Sequence, residues 1–169
     1  MKNEFELFME IWEREAAKTR KLFDALPVDG YDFRPDPDGR SIGEMAWHIP
    51  EAEAYGTFGI ERGGLSAPSE KPPGIERPKS IQELGAGYAR VHGEAVARVQ
   101  KLQADDLDRP ISFFGGAPSS VRDVLWDFVL LHGIHHRGQL GLLARQYGGQ
   151  PTGVYGPTRE VMPLRKPTA

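Results

Sequence analysis

The sequence predicts an all-α protein: a four-helix bundle with long loops in one domain, residues 1–169, whose tail, residues 150–169, packs over one end. The 20 glycines and 14 prolines crowd into a few stretches, near 27–40, 63–78, 110–118 and 148–167. The segments between these stretches carry apolar residues at helical spacing. Strand evidence is limited to residues 111–114, where Ile-Ser-Phe-Phe predicts a short extended piece that Gly115 and Gly116 could turn.

The first predicted helix begins at Asn3 and is stopped by Pro27. Asn3 and Glu6 have the spacing of a capping box, in which each side chain bonds the backbone N–H of the other residue. The apolar stripe of this helix recurs at steps of three, four or seven residues and contains Phe5, Phe8, Trp12, Thr19, Leu22 and Leu26.

The second predicted helix begins with the capping pair Ser41 and Glu44 and runs to about Gly63. Pro50 lies inside it and predicts a kink, because proline removes one backbone donor and crowds the carbonyl four residues earlier. The stripe of this helix contains Met45, His48, Ala52, Tyr55 and Gly59.

The third predicted helix opens with a further capping pair, Ser80 and Glu83. Its stripe contains Ile81, Leu84, Tyr88, Val91, Ala95, Val99 and Leu102. The fourth begins at Ser119 or Ser120 and continues to Tyr147, where two glycines end it. Residue spacing alone leaves the up-down order of the four helices open, because the loops are long.

The composition is that of an ordinary soluble globular domain. Apolar residues make up 39% and charged residues 27%, and the net charge is −3 with both signs interspersed. This balance argues against nucleic acid or an anionic membrane as a partner. The N-terminus has no signal-peptide pattern, and no apolar run approaches the ~20 residues that span a bilayer. We therefore expect a cytoplasmic protein with a small-molecule substrate.

The chain contains no cysteine, which excludes disulfides, thiolate metal sites and a cysteine nucleophile. Any metal ion must be held by histidine, carboxylate or backbone oxygen. Three of the five histidines lie close together on the fourth predicted helix, at His132, His135 and His136. At about 100° per residue, His132 and His136 lie about 40° apart and one turn along the axis, so two imidazoles can chelate one ion.

The predicted core faces of the second and fourth helices each contain histidine. His132 stands on the centre line of the fourth helix's apolar stripe, and His48 stands on that of the second. His136 lies about 40° to one side of His132 and His135 about 60° to the other, so His136 is the preferred inward partner and His135 a flank or surface residue. Because uncompensated buried imidazoles are costly, the economical interpretation is that His48, His132 and His136 meet around one divalent ion.

A lone core histidine is often satisfied by a backbone carbonyl or a tyrosine instead, so a metal-free bundle stays an alternative. His92 lacks a histidine three or four residues away and is interpreted as a surface or rim residue. With His48, His132 and His136 on two core stripes, the metal interpretation is favoured.

Glu51, Arg137 and Gln139 are the candidate catalytic residues near such an ion. Glu51 could bond an imidazole, act as a general base or face solvent. Arg137 points off the core line, so it either clamps an anionic substrate or forms a surface ion pair, and the surface pair is favoured. Gln139 lies on the core line and could orient a ligand. Tyr55 and Tyr155 could close the pocket.

Two stretches resemble the DinB/YfiT-like family: Ser-Ile-Gly-Glu-Met-Ala-Trp-His at 41–48 and His-Gly-Ile-His-His-Arg-Gly-Gln-Leu at 132–140. The resemblance covers most of the chain, and the second motif is the more specific. It implies an up-down-down-up four-helix bundle, often a homodimer. It also implies one divalent ion, zinc or nickel, held by His48, His132 and His136. Pro50 departs from the family pattern just after the first ligand.

The resemblance implies two classes of function. The first is a metal-dependent enzyme, since the superfamily includes thiol transferases and isomerases in which the metal activates a low-molecular-weight thiol co-substrate. Hydrolysis is a variant of this class. The second is a non-enzymatic metal-binding, stress-response protein in which the ion is structural and pins the second helix to the fourth.

Overall fold

The computed structural model describes residues 2–65, 70–114, 118–151, 153–158 and 162. Within these residues it confirms the predicted fold class, since four long helices dominate and a small three-stranded sheet completes the fold. Three helices are regular and have the predicted positions: α1, Glu4–Phe23, α2, Ile42–Arg62, and α3, Ile81–Val99. None of the described helices is both long and apolar enough to cross a bilayer.

The fourth helix, α4, covers residues 121–146 and is less regular than the sequence predicts. An α-helical turn, a π-helical segment and an α-helical stretch follow one another, at Val121–Asp123, Val124–Leu131 and His132–Gln146. The backbone N–H of His132 accordingly donates to the carbonyl of Asp127, five residues earlier. A regular α-helix would place Leu130 about 160° from His132. Leu130 is nevertheless buried, because α4 packs against α1 as well as against α2.

All four helices begin at the predicted positions. Asn3 and Ser41 each form a complete capping box, and Ser120 does the same for α4. The capping box predicted for α3 is wrong. Ser80 makes no cap bond to the backbone, because its hydroxyl donates instead to the carboxylate of Glu83 over 2.8 Å.

Contacts between α2 and α4 show that these helices are antiparallel. His48, near the start of α2, contacts the rings of His132 and His136 in the second half of α4. Gly56, further along α2, meets Val129, which lies earlier in α4. Pro50 does not end α2, which continues through it to its last turn. The kink predicted there stays a prediction.

Further contacts complete the helix order. Ion pairs join Glu4 of α1 to Arg122, and Glu15 further along α1 to Arg137, so α1 and α4 are parallel. Between α2 and α3, contacts advance along both helices in the same direction, from Trp47 against Gly87 to Glu61 against Lys101. The bundle is therefore up-down-down-up. α2 packs between α3 and α4, and α1 packs against the same two helices.

The core consists of two apolar clusters, and α2 is central to the larger one. Trp47, Ile49 and Ile60 are all buried although they lie off the predicted stripe of α2. The helix therefore buries more of its circumference than its apolar stripe indicates, because neighbours cover it on two sides. The indole N–H of Trp47 donates to the carbonyl of Ile75 over 3.0 Å, which anchors the loop between α2 and α3.

The small sheet joins the end of α2 to the start of α4. Its strands are β1, Gly64–Leu65, β2, Pro110–Phe113, and β3, Ser119–Ser120. β1 pairs in parallel with β2, and β2 pairs in antiparallel with β3. The extended piece predicted near 111–114 is thus confirmed as β2. The predicted turn at Gly115-Gly116 lies outside the described residues, as does most of the tail 150–169.

Candidate metal centre

The imidazole rings of His48, His132 and His136 converge between α2 and α4. Each offers one ring nitrogen such that the three atoms lie within 4.8 Å of one another. The His48 ring centroid lies 5.2 Å from that of His132 and 4.5 Å from that of His136. The two Nε2 atoms of His132 and His136 are 2.7 Å apart. Ring nitrogens from both helices therefore lie around a common point.

Local structure explains this convergence. His132 and His136 lie at the start of the α-helical stretch of α4, so one regular turn separates them and places their rings on one face, edge to face with centroids 4.4 Å apart. The preceding π-helical segment ends at Leu131, which leaves their four-residue spacing intact. The ring of Phe128 stacks on His132, with centroids 5.0 Å apart and planes 29° apart. An aromatic wall thus fixes one side of the His132 imidazole.

The Nδ1 atoms of the three histidines have different surroundings. Nδ1 of His136 lies 2.7 Å from the side-chain oxygen of Gln139, and Nδ1 of His48 lies 3.5 Å from a Glu51 carboxylate oxygen. Nδ1 of His132 is buried without a hydrogen bond of good geometry to any described residue, although the Phe128 backbone acts on it electrostatically. Polar groups behind a ligating histidine fix its tautomer and orientation.

The surroundings of His132 and His136 favour the neutral form of each imidazole. Burial, together with the neighbouring histidines and partly offset by Gln139, lowers the pKa of His136 to about 4. Burial and the nearby His48 likewise lower the pKa of His132. Neutral imidazole is the form that binds metal ions. At neutral pH these rings would therefore bind an ion without first losing a proton from the ring.

A cleft of about 380 Å³ opens onto the cluster, with His48 and His132 in its wall. Further wall residues are Arg40, Glu51, Ala52, Tyr55, Phe114 and Phe128. A second cleft of about 400 Å³ shares Arg40 with the first, and His136 and Gln139 contribute to its wall. The histidine cluster therefore lies in the walls of two solvent-accessible clefts rather than in a closed cage.

Two of the three candidate catalytic residues lie at the cluster. Glu51 and Gln139 approach His48 and His136 as described, and Tyr55 lines the first cleft. Arg137 does not. The favoured prediction of a surface ion pair for Arg137 is wrong in its location, because the pair forms in the interior.

Arg137 is only 3% exposed and points away from the histidines towards α1. Its guanidinium pairs with the carboxylate of Glu15 and donates over 2.9 Å to the Glu15 carbonyl. Thr19 and the hydroxyl of Tyr155 complete the group. Tyr155 therefore belongs to this ion pair and does not line either cleft beside the histidines.

The remaining histidines occupy different surroundings. His135 is exposed and near Gln139, as its position off the core line predicts. The interpretation of His92 as a surface or rim residue is wrong, because it is 3% exposed. Its Nδ1 lies 2.7 Å from Glu53, which also accepts a hydrogen bond from Tyr88. A buried carboxylate on the neighbouring helix, invisible to spacing on α3 alone, compensates this histidine.

Arg40 is a residue of the site that the sequence analysis missed. It lines both clefts, its side chain is exposed, and it forms no ion pair with another described residue. Two arginines in the surrounding loops behave differently, since Arg34 and Arg77 both pair with Glu44. The charge of Arg40 contributes to the low pKa of His132. Its position directly before Ser41, the N-cap of α2, indicates that it lies near the site. Residue spacing does not show that Arg34 and Arg77 form ion pairs while Arg40 forms none with a described residue.

Comparisons with known proteins agree with this architecture. The sequence model of the DinB superfamily matches residues 11–140. The Bacillus subtilis (strain 168) protein YrdA, described as uncharacterized, is 30% identical over 154 residues, which cover 90% of this chain and 89% of YrdA. A crystal structure of a DinB-like protein from Bacillus cereus is similar with a TM-score of 0.72 and 29% identity, over 88% of this chain and 95% of that one.

A second solved structure shows the fold alone. It is the DinB-like protein YjoA from Bacillus subtilis, with a TM-score of 0.69 and 22% identity. The similarity covers 89% of this chain and 98% of that one. Both structural similarities therefore extend over nearly the whole length of the chains compared.

Proposed function

The chain belongs to the DinB superfamily, and from this premise we propose that it binds one divalent metal ion through His48, His132 and His136. The open side of the ion would serve a metal-dependent reaction on a small molecule, either thiol transfer or hydrolysis. The observation that carries this proposal is the convergence of three imidazoles at the wall of an open cleft. Zinc or nickel suits an all-nitrogen donor set of this kind.

The residues present fit such an ion. The chain has no thiolate to offer, but His132 and His136 are held neutral by burial and present Nε2 atoms on the same side. Gln139 lies behind His136, and Glu51 lies behind His48. Three histidines with further positions left open are the donor set of catalytic rather than structural zinc sites.

When bound, the ion would act as a Lewis acid that lowers the pKa of a thiol or a water molecule at its open position. The chain itself would supply orientation and shielding. Glu51 is placed to hold the proton on Nδ1 of His48, which leaves Nε2 free for the ion. Phe128 and Tyr55 line the cleft and would exclude water beside the reacting group.

In the second candidate function, the ion is only structural and pins α2 to α4. Its support is that the cluster takes ligands from both of these helices. A purely structural site is closed by its protein ligands, whereas here the histidines lie in the walls of two clefts. This openness favours the enzyme.

Metal content tests the proposal. Untagged wild-type protein, incubated with zinc or nickel and then freed of unbound ions, is expected to retain about one ion per chain by elemental mass spectrometry. The His132→Ala variant is expected to lose nearly all of it. The matched control is His135→Ala, which removes an exposed histidine of the same helix and should leave the metal content unchanged. Equal metal in wild type and His132→Ala, or none in either, would contradict the proposal.

A separate experiment tests whether a small thiol binds the metal ion. Nickel-loaded wild type, titrated with cysteamine, is expected to develop a thiolate-to-nickel charge-transfer band that the metal-free protein lacks. No band at saturating thiol would remove thiol transfer and leave hydrolysis as the reaction class.

A further inference from the structure

Arg40 places a positive charge in the wall of the cleft. Among the described residues it has no ion-pair partner, whereas Arg34 and Arg77 are engaged with Glu44. Its side chain is exposed, so neither packing nor burial explains its position. It lines the same 380 Å³ cleft as His48 and His132. An unpaired guanidinium presents five donors in a planar fork that matches a carboxylate.

Apolar and aromatic side chains form another part of the cleft wall. Ala52, Tyr55 and Phe128 line it between the histidines and the solvent. Phe128 is held in place by its stacking on His132. Small-molecule sites commonly combine such apolar walls with one or two fixed polar groups that orient the ligand. The cleft thus offers an anion-binding group at one position and a surface for an apolar body elsewhere.

Charge within the cleft also favours an anion. The described acidic residue in its wall is Glu51, whose carboxylate lies 3.5 Å from Nδ1 of His48 and is thus directed at a histidine. With a divalent ion on the three histidines, the ion and Arg40 outweigh this single negative charge. This step rests on the proposed metal site.

We propose that the cleft recognises a small organic anion as substrate, with its carboxylate on the guanidinium of Arg40 and its apolar body along Phe128 and Tyr55. Arg40 binds the end of the molecule remote from the reaction, and the opposite end is held beside the histidine cluster. The substrate of the proposed enzyme is therefore an aryl or alkyl carboxylate rather than a neutral or cationic compound.

Binding of three simple probes tests this assignment. Calorimetric titrations at constant ionic strength compare benzoate, benzamide and acetate on zinc-loaded protein. Benzoate is expected to bind Arg40→Gln about ten- to a hundredfold more weakly than wild type, the range of a charge-assisted hydrogen bond. Benzamide should bind wild type more weakly than benzoate and should not respond to the substitution. Acetate, which lacks the apolar body, should also bind more weakly than benzoate.

The matched control is Arg14→Gln, which removes the same charge from an exposed position on α1, outside the described cleft wall. It should bind benzoate like wild type. Equal benzoate affinity in Arg40→Gln and wild type, or equal affinity of wild type for benzoate and benzamide, would overturn the assignment. Zinc content is measured on the same samples. Wild type without zinc would refute the proposed function, and the titrations on that metal-free protein would then decide the role of Arg40 separately.

Discussion

Charged side chains meet in the interior of the bundle, directly behind the helix face that carries the histidines. Glu15 and Arg137 are 6% and 3% exposed and form an ion pair between α1 and α4. Burial raises the pKa of Glu15, but hydrogen bonds from Lys18, Tyr155 and Arg137 outweigh it and bring the pKa down to about 2. The pair fixes the residue next to His136 and so holds α4 in register against α1.

The pKa of Glu15 predicts a dependence of stability on pH. A carboxyl whose folded pKa lies below its unfolded value stabilises the fold above the unfolded pKa, and this contribution is lost as the pH falls towards the folded pKa. Wild type should therefore lose on the order of 3 kcal/mol from this group between about pH 5 and pH 2. Urea unfolding measured at several pH values checks the loss.

The variant Glu15→Gln should be less stable than wild type at pH 7 and should lack this part of the acid-induced loss. Glu94→Gln serves as the control. It removes a partly exposed carboxylate that pairs with Arg90 and, at 3.9 Å, with Arg98, and it should change the free energy of unfolding by less than about 0.5 kcal/mol. An unchanged acid dependence in Glu15→Gln would show that the buried pair does not cause it.

The contact between α2 and α4 determines the geometry of the histidine site. Gly56 lies where the two helices approach, and a Cβ atom there would stand 2.6 Å from a methyl carbon of Val129 and 3.3 Å from the ring of Phe128. The absence of a side chain therefore permits the spacing at which His48 reaches His132. The histidine geometry depends on this glycine as well as on the histidines themselves.

The variant Gly56→Ala is expected to lose about 1–3 kcal/mol of stability, because the added methyl group overpacks the helix contact. It should also weaken zinc binding, since Phe128 stacks on His132 and both must shift. Gly138→Ala is the control. Its Cβ would meet no atom within 4 Å, so replacing a helical glycine there should stabilise the protein by about 0.5–1 kcal/mol. Weaker zinc binding in both variants, or in neither, would contradict the role of Gly56 in setting the histidine geometry.

Periodicity within single elements accounts for what the sequence predicted correctly. The apolar stripes and capping pairs located all four helices, and the stripes placed His48, His132 and His136 on facing surfaces. Periodicity within one element does not show interactions between elements. Compensation of His92 by Glu53 and of Arg137 by Glu15 depends on a partner from another helix. The burial of Leu130 was missed for a related reason, because α4 has neighbouring helices on more than one side.

The proposed ion would connect α2 and α4, two helices that are distant in the sequence. His48 and His132 belong to antiparallel helices whose contact closes one side of the up-down-down-up bundle. A ligand that binds only the folded state stabilises it by mass action, by about 2.7 kcal/mol at a hundred times its Kd. Metal binding should therefore be visible in global unfolding.

Wild type is expected to melt at a higher temperature with zinc than with a chelator, and differential scanning calorimetry measures the difference. His48→Ala should melt at the same temperature under both conditions, because its site lacks the ligand from α2. A zinc response of the same size in His48→Ala would place the stabilising ion elsewhere on the protein.

X-ray absorption at the zinc edge shows whether three imidazoles hold one ion. Zinc-loaded wild type is expected to show three histidine nitrogens in the first coordination sphere, together with lighter oxygen ligands from solvent. His136→Ala should show fewer imidazoles or lose the ion. A first sphere with one imidazole or none, or a wild-type spectrum that His136→Ala leaves unchanged, would contradict the three-histidine site.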